Sequence, residues 1–168
     1  MIKSNSSMRI TQTAATVTAL LGIEPPKGAD VPNEIVMAAA QKAFGEEKVE
    51  RALLYNPDAI AMWLYQKYTK LFTPIVTNTQ MALPILSVMP SVTPVCFASM
   101  YSGLNPCDHG IQAYVKPVLT CETIFDAALK AGKHVHMEKP GGRELADFEE
   151  LIATVKEKDL IFCPGYMY

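Results

Sequence analysis

Pro90-Ser91-Val92-Thr93-Pro94-Val95-Cys96-Phe97-Ala98-Ser99-Met100-Tyr101-Ser102-Gly103, followed by Asn105-Pro106 and Asp108-His109-Gly110-Ile111, is the stretch on which the reading of the fold turns. Phe97 to Ser102 reads as the start of a helix that Gly103 stops. Thr93 then stands where a loop enters that helix. Unpaired backbone N–H groups and the positive end of the helix dipole favour a bound phosphate at such a place. A hydroxyl there becomes a nucleophile if a divalent metal lowers its pKa. The same residue type also suits a helix cap, and the local pattern leaves both roles open.

Outward from this stretch, strand and helix patterns alternate. Arg51 to Tyr55 is a short apolar run stopped by Asn56-Pro57 and reads as a buried strand. Ile60, Trp63, Leu64 and Tyr68 fall on one face of a helix that begins at Ala59, with Lys67 and Lys70 toward its C-terminus. Asp58 therefore sits at a junction of strand and helix. Leu83 to Val88 is a second expected strand. Leu104 to Pro117 reads as a loop, Glu122 to Ala131 as an amphipathic helix, Val135 to Met137 as a strand, Glu144 to Lys158 as a helix and Leu160 to Cys163 as a strand. Before all of these, Thr11 to Leu21 and Asn33 to Phe44 are Ala-rich and helical, parted by Glu24-Pro25-Pro26-Lys27-Gly28. The alternation predicts an α/β fold, a parallel sheet flanked by helices, behind a helical N-terminal segment over residues 1–50. Leu83 to Val88 and the Arg51 strand are expected to lie side by side, bringing Asp58 near Thr93, with the C-terminal strands completing the same sheet.

The Pro-x-x-Thr, the Ser-Gly that follows it and the Pro-x-x-His-Gly-Ile resemble the type I phosphodiesterase and nucleotide pyrophosphatase branch of the alkaline phosphatase superfamily. The resemblance covers about residues 8–130 and makes residues 51–130 a partial alkaline-phosphatase-like domain. It implies that Thr93 is a metal-bound nucleophile that takes up the phosphoryl group. It also implies that Asp58, 35 residues earlier, ligates one of two zinc ions; Ala59 replaces the family's usual Gly, and Asp58 equally suits a helix N-cap. His109 would shape its loop rather than bind zinc. Tyr114 stands where nucleotide pyrophosphatases carry an Asn, so substrate preference does not carry over.

A two-zinc site needs about six side-chain ligands, and in the family most come from later Asp and His residues. After His109 the only histidines are His134 and His136, in no Asp-x-x-x-His or Asp-His pattern. From Ala128 to Pro140 it resembles instead the Glu-Lys-Pro segment of the glucose–fructose oxidoreductase and inositol dehydrogenase family, making residues 131–168 a short βαβ-like piece of a Rossmann domain. That resemblance implies that Lys139 lies near NAD(P), although a solvated loop lysine fits the same residue. The Gly-x-Gly-x-x-Gly phosphate turn is absent, since Gly141-Gly142 lacks a third glycine. Two unrelated coding sequences are expected to meet within Phe125 to Lys133, a helix end that suits both families.

Bulk properties narrow the function classes. The 168 residues are 49% hydrophobic and 19% charged with a net charge of −2, which fits one globular domain and gives no basic stripe for a nucleic acid. There is no signal peptide or membrane-spanning run, so no membrane partner is expected. Four cysteines without a C-x-x-C pair read as free thiols of a cytoplasmic protein. The expected function is a metal-dependent hydrolase of phosphodiester or pyrophosphate bonds, incomplete or inactive, acting if at all on a small phosphate ester. A remnant of a nicotinamide-dependent oxidoreductase and a non-catalytic α/β binding module are the alternatives. With the later part of the family's domain missing, exposed apolar edges and self-association are also expected.

Overall fold

A computed structural model describes residues 7–57, 60–114, 119–138 and 145–165. About half of them are helical, and the strands form small parallel sheets, so the chain is α/β. Strand β1 (Met8–Arg9) leads directly into α1 (Gln12–Leu21), which Gly22 ends. Helix α2 (Glu34–Phe44) follows; the Asn33 side chain accepts a hydrogen bond of 3.1 Å from the Val36 N–H and so satisfies one of the free donors at its start. Ala14, Ala15 and Thr18 are buried on α1, and their small side chains let that helix pack against both α5 (Thr93–Ser102) and α7 (Ile124–Lys130). Thr18 turns its hydroxyl back to the carbonyls of Ala14 and Ala15, and Thr16 does the same to Gln12, which satisfies both groups away from water.

Two apolar clusters hold the fold. Val95 and Ala98 of α5 pack with Ile111 and Leu119 in the first. Ala128 and Leu129 of α7 pack with Val135 of β3 (Val135–Glu138) and Leu151 of α8 (Leu145–Glu157) in the second. Strand β3 pairs in parallel with β4 (Phe162–Gly165), from Val135 opposite Phe162 to Glu138 opposite Gly165, and α8 makes the crossover. This is a βαβ unit. Thr123 and Asp126 form a capping box at the start of α7, the helix whose Ala128 and Leu129 join the second cluster.

The middle of the chain departs from the sequence expectation. Arg51 to Tyr55 is not a strand; Leu53 is 91% exposed and Tyr55 74% exposed. The Leu83 to Val88 run shortens to β2 (Ile85–Leu86), and its parallel partner is Met8–Arg9 rather than the Arg51 segment. An apolar run becomes a strand only beside another strand; β2 pairs with β1 through Met8 N–H to Pro84 O at 2.9 Å and Ile10 N–H to Leu86 O at 3.0 Å, and the Arg51 run pairs with no strand. The C-terminal strands also pair only with each other and do not complete that sheet. Between Arg51 and β2, the short helices α3 (Met62–Lys67) and α4 (Thr73–Asn78), joined by a 3-10 turn at Thr69–Phe72, contain no buried residue. The expected loop at Leu104 to Pro117 holds one further short helix, α6 (Pro106–His109).

Candidate phosphoryl site at the start of helix α5

The chain enters α5 through a cis Met89–Pro90 peptide bond, and Val92 at the N-cap is extended, with its N–H on Pro90 O at 3.0 Å. Thr93 is the first helical residue and is half-buried, and Pro94 follows it. Proline is favoured in the first turn because its fixed φ suits the helix and its missing N–H would have no partner there. No side chain caps this end. The simple capping role for Thr93 is therefore not the one adopted, and the N–H groups of Thr93 and Val95 are the donors that the first turn leaves outside the helix pattern. The Ser87 and Ser91 hydroxyls lie 2.7 Å apart and the Cys96 thiol lies 3.3 Å from Ser87, so hydroxyl and thiol groups surround the entrance. Sequence reasoning passed over this trio; the signal was the spacing of Ser91 and Cys96 across the first turn, invisible until the bend at Pro90 is known.

His109 ends α6 and is buried. Its Nδ1 accepts the Ile111 N–H at 3.1 Å, so the ring proton sits on Nε2, which lies 3.0 Å from the Ser99 hydroxyl and donates to it. Burial lowers the His109 pKa, partly opposed by Asp108 beside it. The imidazole is thus neutral and uses both nitrogens to fix the turn between α5 and Ile111, with no lone pair left for a metal. The turn after α5 is fixed from a second side. Gly103 at φ 77° caps the helix, and its carbonyl accepts the Asp30 N–H at 3.0 Å. The Asp30 carboxylate takes a two-pronged bond from the Arg9 guanidinium, at 2.9 and 3.0 Å, and one from the Thr11 hydroxyl at 2.6 Å. Burial alone would raise the Asp30 pKa, but the bonds from Arg9, Thr11 and the Val31 N–H together hold it below its ordinary value.

Asp58 and Lys139 lie outside the described residues. Asn56, two residues before Asp58, is bound through its amide to the Tyr101 hydroxyl at 3.0 Å, so that segment is tied to α5. Tyr114 is exposed, and the His134 ring accepts the Ile161 N–H at 2.9 Å, fastening β3 to β4. Among the described residues no group of three or more His, Cys, Asp or Glu could hold a metal ion. Around Thr93 the groups that come together are two serine hydroxyls and one thiol, one zinc-ligand type where a pair of ions needs several. The described residues therefore do not fit a two-zinc centre. A groove of about 300 Å³ lies between Arg9, Asp30, Asn105 and Asp108, and another of about 190 Å³ between α7 and α8; Thr93 lines neither. No helix among the described residues is long and apolar enough to cross a membrane. Comparison with protein families, with curated proteins and with solved structures gave no match, so the likeness to the phosphodiesterase branch rests on the motif from Pro90 to Ile111.

Proposed function

We propose that the chain is, by descent, a metal-dependent hydrolase of phosphodiester or pyrophosphate bonds that keeps the phosphoryl-binding corner of its site and lacks the ligands for catalysis. The observation that supports this reading most is Thr93 itself, a half-buried hydroxyl at the uncapped first turn of a ten-residue helix, inside the motif that runs to Ile111. Anions are favoured at such a turn by its free N–H groups and by the dipole. In this reading the Thr93 N–H offers a backbone donor to a phosphoryl oxygen, the Thr93 hydroxyl faces the phosphorus, and Asp58 is the surviving metal ligand. The protein works in the cytoplasm, where its four free thiols stay reduced, and its ligand is a small phosphate ester.

The test is a titration with inorganic phosphate followed by the amide resonances. Weak binding, with dissociation constants on the order of millimolar, should move Thr93, Val95 and Cys96 and be weakened in Thr93→Ala. Phosphate that leaves those amides in place sinks the reading. A zinc titration of the full chain should show no tight binding; tight binding that weakens in both Asp58→Ala and Thr93→Ala would mean instead that the site is complete. A second reading, a remnant of a nicotinamide-dependent oxidoreductase, is favoured by one feature, the parallel β3–α8–β4 unit. NADH fluorescence that changes on adding the protein, and fails to change with Lys139→Ala, would move the assignment there.

A further inference from the structure

Strand alternation sorts the β3–β4 pair into two faces. Val135 and Met137 of β3 and Phe162 of β4 pack with Leu129 and Leu151 in the second apolar cluster. Successive side chains of a strand point to opposite faces, so His136 and Cys163 turn the other way, and both are exposed. The parallel register sets these two residues directly opposite each other. His134 and Ile161, just before the two strands, are exposed as well. The two histidines are not equivalent. His134 Nδ1 accepts the Ile161 N–H at 2.9 Å, so its ring proton sits on Nε2 and neither nitrogen keeps a free lone pair. The His136 ring is exposed, and in its neutral form one nitrogen offers a lone pair.

A thiol and an imidazole side by side are metal ligands of the softer kind. Neighbouring strands lie about 4.8 Å apart. Bonds of about 2.0 Å to imidazole nitrogen and about 2.3 Å to sulfur, as zinc makes them, nearly add up to that span, so one ion fits between the two side chains. The number of ligands then selects the ion. Zinc in a structural site takes four, and calcium and magnesium take shells of oxygen, whereas this pair supplies one sulfur and one nitrogen. Cu(I) is soft, binds both thiolate and imidazole, and is satisfied by two ligands. It therefore needs no group of three, and none is present among the described residues. The surroundings of the other thiols differ. Cys96 stands beside the Ser87 hydroxyl, and Cys107 is followed by His109, whose two nitrogens are both engaged.

We propose that His136 and Cys163 form a two-coordinate site for a soft monovalent metal ion, Cu(I), on the open face of the β3–β4 pair. Binding leaves the copper in the same oxidation state. The Cys163 thiol gives its proton to water and its sulfur takes the ion, while His136 supplies a ring-nitrogen lone pair. This inference does not depend on the hydrolase reading.

The test is an anaerobic titration of the reduced full chain with Cu(I) held by the chromophoric chelator bicinchoninate. The chain should withdraw one equivalent of copper and develop the ultraviolet charge-transfer absorption of a copper thiolate. His136→Ala and Cys163→Ser, both at exposed positions, should keep the circular dichroism. Each should weaken binding by more than about tenfold, the cost already of losing an outer-shell partner, whereas Cys107→Ser should leave it unchanged. In the unaltered chain, Cu(I) should shift the ring resonances of His136, which reads the site without any variant. Binding that His136→Ala leaves intact, an unmoved His136 ring, or uptake that falls with each cysteine removed would assign the metal to thiols at large and overturn the inference. A chain that withdraws no copper from the chelator overturns it as well.

Discussion

His109 is the residue whose two bonds organise the turn behind the candidate site. Its replacement by Ala would leave the Ile111 N–H and the Ser99 hydroxyl without partners in a buried place and open a void. A loss of about 2–4 kcal/mol is expected, measurable by urea unfolding. The pH dependence has a definite sign. Burial holds the folded His109 below the ordinary value of 6.5, so the unfolded chain takes up a proton that the folded chain refuses. Its contribution is complete above that value and declines as pH falls through it. Asp30 behaves oppositely in range: its folded pKa is lowered, so its contribution persists down to the ordinary value of 3.8 and is lost only below it. Between about pH 7 and pH 5 the decline in stability should therefore belong to His109 and be absent in His109→Gln; an unchanged slope in that variant would contradict the buried neutral ring. At Gly103 the cost is steric. An added Cβ would sit 2.6 Å from the Ala29 Cβ on a backbone with φ of 77°, and Gly103→Ala should lose about 2 kcal/mol or more in the same unfolding measurement.

Elements differ in how much of them a sequence can reveal. Helices α1, α2, α7 and α8 were legible because their apolar spacing, their caps and the stops at Gly22, Gly45 and Gly132 are all local. The sequence marks α5 from Phe97 and the structure starts it at Thr93, because Pro94 looks like a break yet belongs in a first turn. The Arg51 to Tyr55 run failed for a different reason. Strand identity depends on a partner elsewhere in the chain, and Met8–Arg9, too short to show alternation, is the partner that β2 found. At the site, Thr93 and His109 were singled out from the motif, whereas Ser87, Ser91 and Cys96 come together only through the bend at Pro90. The same contrast predicts stability. Leu129 is 1% exposed in α7, so Leu129→Ala should cost about 2–5 kcal/mol. Leu71→Ala, measured on dilute protein, should change stability by less than about 0.5 kcal/mol. Equal losses at the two positions would mean that the α3–α4 region has a core of its own.

Over the whole molecule, order is distributed unevenly. The two apolar clusters are drawn from α5, α7, α8 and the segments beside them, while residues 51–87 contribute none of their buried members. Native-state hydrogen exchange should follow that division. Amides of α7 and β3 should exchange only through global unfolding, and those of α3 and α4 through local opening at far lower free energy. Uniform protection across the dilute chain would refute it. Helix α7 has one further consequence. It touches α1 and α5 as well as β3 and α8, so the described elements after Gly132 meet the rest of the described fold mainly through a single short helix. A gene recombined inside that helix exchanges one self-paired βαβ unit for another and needs only an apolar side chain to receive Leu129, which makes α7 a natural breakpoint for shuffling between lineages.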